Sequence, residues 1–169
     1  MSKSALAITE EHNDLADAAI GQLSRLTSRA AARATLEDGS SHPADIWSAG
    51  AEVGWNGLAI AEEHGGSGFG LAELAVVLEA QGRELTPGPF LPSVAAAVVI
   101  DRCAPDSVRA QLLPGLADGG TVGALALSGS VTIGSDLVVT GESPAVLGAP
   151  DADVRRVHNR APTCAPRDA

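Results

Sequence analysis

The chain of 169 residues has no tyrosine, two tryptophans, two phenylalanines, one methionine and two cysteines. With aromatics at only 2%, a core must be packed from Ala, Leu, Val and Gly, which suits close helix–helix contact better than a β-sandwich. Basic residues are scarce as well. Eleven Lys and Arg against 21 Asp and Glu leave a formal charge of −10, which argues against nucleic acid or an anionic membrane as partner. Cys103 and Cys164 have neither metal-ligand spacing nor companion histidines, so a reduced, cytoplasmic protein without a metal site is expected. Ser93–Ile100 is apolar but far shorter than the roughly 20 residues of a spanning helix. The opening MSKSALAITEEHNDLADA lacks a signal-peptide core.

What remains is enough for a core: 45% of residues are apolar. Thr9 before Glu10 and Glu11 reads as a helix start. Leu15, Ala19, Leu23, Leu26 and Ala30 then recur at helical spacing, which predicts one long amphipathic helix to about Ala34. Residues 37–41 read as a loop. Pro43 opens a second helix with Ile46, Ala49, Gly50 and Val53 inward, and Trp47 and Trp55 beside it read as packing residues. His12, His42 and His64 sit in surface-like contexts.

The segment from Glu62 to Leu91, EEHGGSGFGLAELAVVLEAQGRELTPGPFL, carries the most information. A charged loop with Gly65, Gly66, Gly68 and Gly70 runs into a helix whose predicted face is Leu71, Leu74, Ala75, Leu78, Gly82 and Leu85. Pro87, Pro89 and Pro92 then stop it. Ser93 could cap a further helix through Cys103. Asp106 or Ser107 could begin another with Val108, Leu112 and Leu113 inward, which Pro114 should distort or end. The expected architecture is therefore mainly α, about five helices, followed by strands. Thr121 onward is rich in β-branched residues and turn formers: TVGALALSG, SVTIGSDLVVTG and AVLG read as strands. Gly134-Ser135-Asp136 is the expected hairpin turn. From Arg155 the chain turns basic and fits neither strand nor helix.

Glu62, Glu63, Gly65, Gly66, Gly68, Leu71, Glu73, Glu79, Gly82 and Arg83 together resemble the loop-and-helix motif of the acyl-CoA dehydrogenases. Gln111, Leu113, Pro114, Leu116, Ala117 and Gly119 resemble the motif that closes that family's N-terminal helical domain. The resemblance implies a helical domain over 1–120 and the beginning of a β-barrel domain over 121–154. Residues 155–169 are expected to form a non-homologous, disordered tail, the product of a frameshifted or shortened reading frame.

The family resemblance also implies an FAD-dependent oxidoreductase that removes an α-proton and a β-hydride from an acyl-CoA in lipid or sterol side-chain breakdown. An electron-transfer flavoprotein or similar acceptor and a homo- or hetero-oligomer are implied as partners. Phe90 and Leu91 fall in the segment that lines the acyl tail, although Phe90 could equally plug the core. Leu127 and Ser128 fall where the family's first strand reaches the flavin, with Ser128 standing for a threonine. Ala145 and Leu147 replace the family's stacking aromatic and its Ser/Thr donor, which weakens the expected flavin site. Glu62, Glu63, Glu73 and Glu79 read as solvated or capping acids. None of them matches the catalytic base, so no catalytic residue is expected and the chain by itself should be inactive. The alternative is a non-catalytic partner subunit of a heteromeric dehydrogenase, and a remoter one is an unrelated helical binding module.

Overall fold

The computed structural model describes residues 9–26, 28–38, 43–133 and 138–157. Helix α1 (Glu10–Arg25) starts where the sequence predicts, and Thr9 caps it by accepting the His12 N–H at 3.1 Å. It is shorter than expected. The Leu26 N–H closes on Gln22 O, and α2 (Ser28–Asp38) follows as a separate helix. Thr27, between the two helices, lies outside the described residues. Among the described residues six helices therefore stand where about five were expected, and Glu37 and Asp38 are helical rather than loop.

Helix α3 (Ala44–Glu52) buries Ile46 and Gly50, whereas Val53, expected inward, caps its end and is exposed. A 3-10 turn at Glu62–His64 and the glycine loop lead to α4 (Leu71–Arg83). Its buried face is Leu74, Val76, Val77, Ala80 and Gln81, not the stripe running from Leu71 to Leu85. Leu71 and Leu85 stand at the two ends and are exposed, whereas the middle of the helix is covered on more than one side. One core cluster joins Leu23 of α1, Leu74 and Val77 of α4, Trp55, Leu58, Phe90 and Val94. Trp55 thus packs as expected, and Trp47 donates its indole N–H to Gly119 O at 2.8 Å.

Helix α5 (Phe90–Cys103) begins three residues before Ser93, with Pro89 at its cap. Pro92 is tolerated because first-turn N–H groups have no intrahelical partner. Ser93 is therefore not a cap. Its buried hydroxyl accepts the Gly123 N–H at 3.1 Å and so fastens the sheet to the helix. Helix α6 (Asp106–Ala117) continues three residues past Pro114. Ile60, Ala97, Ile100, Leu113 and Leu116 form a second cluster between α5 and α6. Cys103 is the last residue of α5, and Cys164 lies outside the described residues.

Strand β1 (Gly123–Ala126) lies on α5 and α6, where a Cβ at Gly123 would stand 3.0 Å from Ala96 Cβ. β2 (Ser130–Ile133) pairs antiparallel with β3 (Val139–Glu142), Ile133 opposite Val139, which is the expected hairpin. Its turn, Gly134-Ser135-Asp136, lies outside the described residues. The AVLG run is not a strand: 145 and 146 are irregular and Leu147 and Gly148 stand in a turn. β4 (Val154–Val157) pairs parallel with β1, Gly123 opposite Val154, so the chain is still in a strand after Arg155. The Val122 N–H, bonded to the Asp153 carboxylate at 3.0 Å, sets that register. His42 and His158 lie outside the described residues, as does the rest of the tail.

Candidate functional site

Helix α4 ends in a Schellman arrangement: Leu85 N–H bonds Gly82 O and Thr86 N–H bonds Gln81 O. The position is usually glycine, yet here Leu85 takes it at φ 52° with its side chain exposed. Thr86 to Pro89 then turn the chain into α5, where the two sequence-predicted acyl contacts separate. Phe90 is 6% exposed and packs inside the core, while Leu91 is 49% exposed on the outer side of the first turn. The structure thus makes Phe90 the core plug and leaves Leu91 on the surface.

Leu127 and Ser128 continue from β1. Leu127 is 77% exposed, and Ser128 O accepts from the Ser143 hydroxyl at 2.9 Å. At the other end of this loop a Cβ on Gly148 would fall 2.5 Å from Pro92 Cγ, so the chain rests directly on the first turn of α5. The 143–148 segment therefore links the two predicted regions, tied to Ser128 at one end and seated against Pro92 and Pro89 at the other. Leu91, Leu127 and Leu147 all present apolar side chains to solvent around it.

The glycine loop shapes the opposite end of α4. Ser67 N–H bonds Gly57 O, Gly68 N–H bonds Ile60 O, and Phe69 N–H bonds Leu58 O, so 57–60 and 66–69 run face to face. Gly65 closes the 3-10 turn at φ 84°, a left-handed position that suits glycine. Gly66 is needed for a different reason. A Cβ there would lie 2.1 Å from Ile60 O and 2.6 Å from Gly57 O.

This loop flanks a groove of about 520 Å³ lined by Thr9, Glu11, His12, Leu15, Leu58, Phe69 and Glu73. His12, expected on the surface, is 7% exposed, and its Nε2 lies 3.1 Å from Glu73 Oε1. The other carboxylate oxygen of Glu73 accepts the Gly70 N–H at 2.9 Å, the capping role expected of this acid. The His12 hydrogen bond, helped by backbone N–H groups, holds the Glu73 carboxyl below the ordinary carboxylate range. Glu11 is lowered too, first by backbone hydrogen bonding and then by the Thr9 hydroxyl. The signal for His12 was in the sequence: with Ala16, Ala19 and Leu23 it completes one helical face.

Among the described residues no group of His, Cys, Asp or Glu could hold a metal ion, and no helix is long and apolar enough to cross a membrane. Residues 9–120 match the family model described as acyl-CoA dehydrogenase, N-terminal domain. Similar proteins include acyl-CoA dehydrogenase IpdE2 of Mycobacterium tuberculosis, 33% identical over 130 residues, which cover 76% of this chain and 40% of that protein. FadE12 of the same species is 28% identical over 70% of this chain and 34% of its own length. Among solved structures, the Tcur3481-Tcur3483 steroid ACAD matches with TM-score 0.78 and 28% identity over 88% of this chain and 44% of that one. An acyl-CoA dehydrogenase from Bacillus anthracis shares the fold, with TM-score 0.69 and 22% identity over 89% of this chain and 28% of that one. The chain thus spans about two fifths of the length of IpdE2. It belongs to the acyl-CoA dehydrogenase family, a family of oxidoreductases, and residues 9–120 match that family's N-terminal domain.

Proposed function

We propose that this chain supplies the helical wall of an acyl-CoA dehydrogenase's acyl pocket, with Leu91 on the first turn of α5 as the residue that meets the acyl tail. The carrying observation is the division of labour in the Phe90-Leu91 pair. Phe90 anchors the turn in the core, and the exposed Leu91 beside it offers apolar surface that an alkyl chain can cover. The helical domain over 1–120 then leads into the start of a β-domain over 121–154, which holds β1 and the β2–β3 hairpin, while β4 continues past that bound to Val157. The reaction of the complete enzyme would be α,β-dehydrogenation of an acyl-CoA thioester in lipid or sterol side-chain breakdown, with electrons passed to a flavoprotein-type acceptor. Glu62, Glu63, Glu73 and Glu79 do not match the family's catalytic base, which supports a role in positioning rather than proton transfer.

The Bacillus anthracis relative is complexed with FAD. In this chain the residues at the corresponding positions do not form a flavin face by themselves. Leu127 and Leu147 expose apolar side chains and Ala145 lies in irregular chain, which leaves no stacking aromatic and no hydroxyl donor at 145 and 147. That poor fit favours a second reading, a partner subunit that shapes a pocket completed elsewhere. Flavin absorbance retained through gel filtration would refute the partner reading. A colourless chain that restores activity to a second subunit would support it.

The pocket-wall proposal is tested by NMR titration of the labelled chain with octanoyl-CoA and, separately, with CoA. Shifts at Leu91 and the exposed side of α5 with octanoyl-CoA, absent with CoA, are expected. Shifts confined to the α1–α4 groove, or none, would contradict it.

A further inference from the structure

Beneath the turn that delivers Phe90 to α5 is a small cavity of about 20 Å³, lined in part by Asn56, Gln81, Thr86, Pro87 and Phe90. Asn56 is 3% exposed, and neither its Oδ1 nor its Nδ2 has a protein hydrogen-bond partner; the buried Thr86 Oγ1 has none either. An unmet buried amide or hydroxyl costs about 1–3 kcal/mol, so three such atoms around one cavity are not left bare without compensation. They cannot be satisfied by moving the backbone cheaply. Thr86 N–H is fixed on Gln81 O, and Asn56 is pressed against Gly119, where an added Cβ would fall 2.6 Å from Nδ2. A water molecule needs roughly 10–15 Å³ and two to four polar partners. This cavity offers both, because the buried Gln81 side chain lines it as well.

We infer that this cavity is an internal water site in which one long-lived water joins Asn56 to Thr86. The bridge ties the 55–57 segment to the turn between α4 and α5, and thereby holds Leu85 in its left-handed conformation and fixes the entry of Phe90 into the core. It is independent of what the outer face of α5 binds.

Two measurements on the full chain test the bridge. In the unaltered protein, water–protein NOEs to the Asn56 side-chain amide should show a residence time far longer than surface hydration. The variants Asn56→Leu and Thr86→Val should each lower the folded-to-unfolded ratio about tenfold. Because both groups share one water, the double variant should lose little more than the worse single one. Strictly multiplicative losses, or no long-lived water at Asn56, would overturn the inference, and the NOE measurement decides should Asn56→Leu fail to fold.

Discussion

Replacing Gly66 with alanine isolates a single physical cause. Gly66 does not take a left-handed conformation, so alanine's own backbone preferences are not at issue. The difficulty is the added methyl, which would sit 2.1 Å from Ile60 O, 2.5 Å from Ile60 C and 2.6 Å from Gly57 O, all backbone atoms. Relief requires the two loop segments to part, and the carbonyls that must move accept from Gly68 and Ser67 at 2.9 and 3.0 Å. Losing two such bonds costs about 2 kcal/mol, and the residual overpacking about 1–3 kcal/mol more. A total loss of about 4 kcal/mol is a large share of the 5–15 kcal/mol typical of a domain. Urea unfolding followed by circular dichroism measures it, with the slope unchanged if only the native state is affected. Gly82→Ala is the matched control: an added Cβ there meets nothing within 4 Å, so a gain of about 0.5–1 kcal/mol from helix propensity is expected. A Gly66→Ala protein within 1 kcal/mol of the parent would refute the close-approach reasoning.

Further expectations follow from the same geometry. Leu85→Gly should stabilise the chain by about 1 kcal/mol, since an L-residue in the left-handed region loses about 1–2 kcal/mol and the exposed side chain gives up little packing; a lower melting temperature would show that the leucine packs. Phe90→Ala should cost about 3–5 kcal/mol, as for other buried aromatics, whereas Leu91→Ala should leave unfolding within about 0.5 kcal/mol of the parent. Because the Glu73 carboxyl is held below its ordinary range, its contribution is complete above an unfolded pKa of about 4.3 and is lost as pH falls through the depressed folded value. Glu73→Gln should therefore flatten the acid side of the stability–pH curve, and an unchanged acid limb would show that the His12 contact carries no linkage.

The parts most legible in the sequence were those set by local chemistry. The Thr9 cap, the glycine loop, the helical spacing of α3, α4 and α6 and the β2–β3 pairing all follow from residues near one another in the chain. Features that depend on distant partners were harder to read. Ser93 looked like a cap because its hydroxyl was visible, but its partner, the Gly123 N–H, lies thirty residues away. The face of α4 was misplaced because Leu71 and Leu85 satisfy the helical period while the neighbours that bury Val76 and Gln81 come from elsewhere. His12 alone resembles a surface residue, and its burial shows only when Ala16, Ala19 and Leu23 are placed on the same face. Parallel pairing of β4 with β1 left no local signature, and the basic residues beyond Asp153 concealed it. At the candidate site the sequence left Phe90 open between core and acyl contact, and only the tertiary packing shows that it is buried in the core cluster.

The central claim is that the exposed first turn of α5, with Leu91 at its face, meets an acyl chain. Photo-crosslinking with an acyl-CoA carrying a terminal diazirine, mapped by peptide mass spectrometry, tests it most directly. Labelling concentrated at Leu91 and the residues after it on α5, and lost in competition with unlabelled acyl-CoA, is the predicted result. Label concentrated in the groove of Leu15, Leu58 and Phe69, or spread without competition, would contradict it.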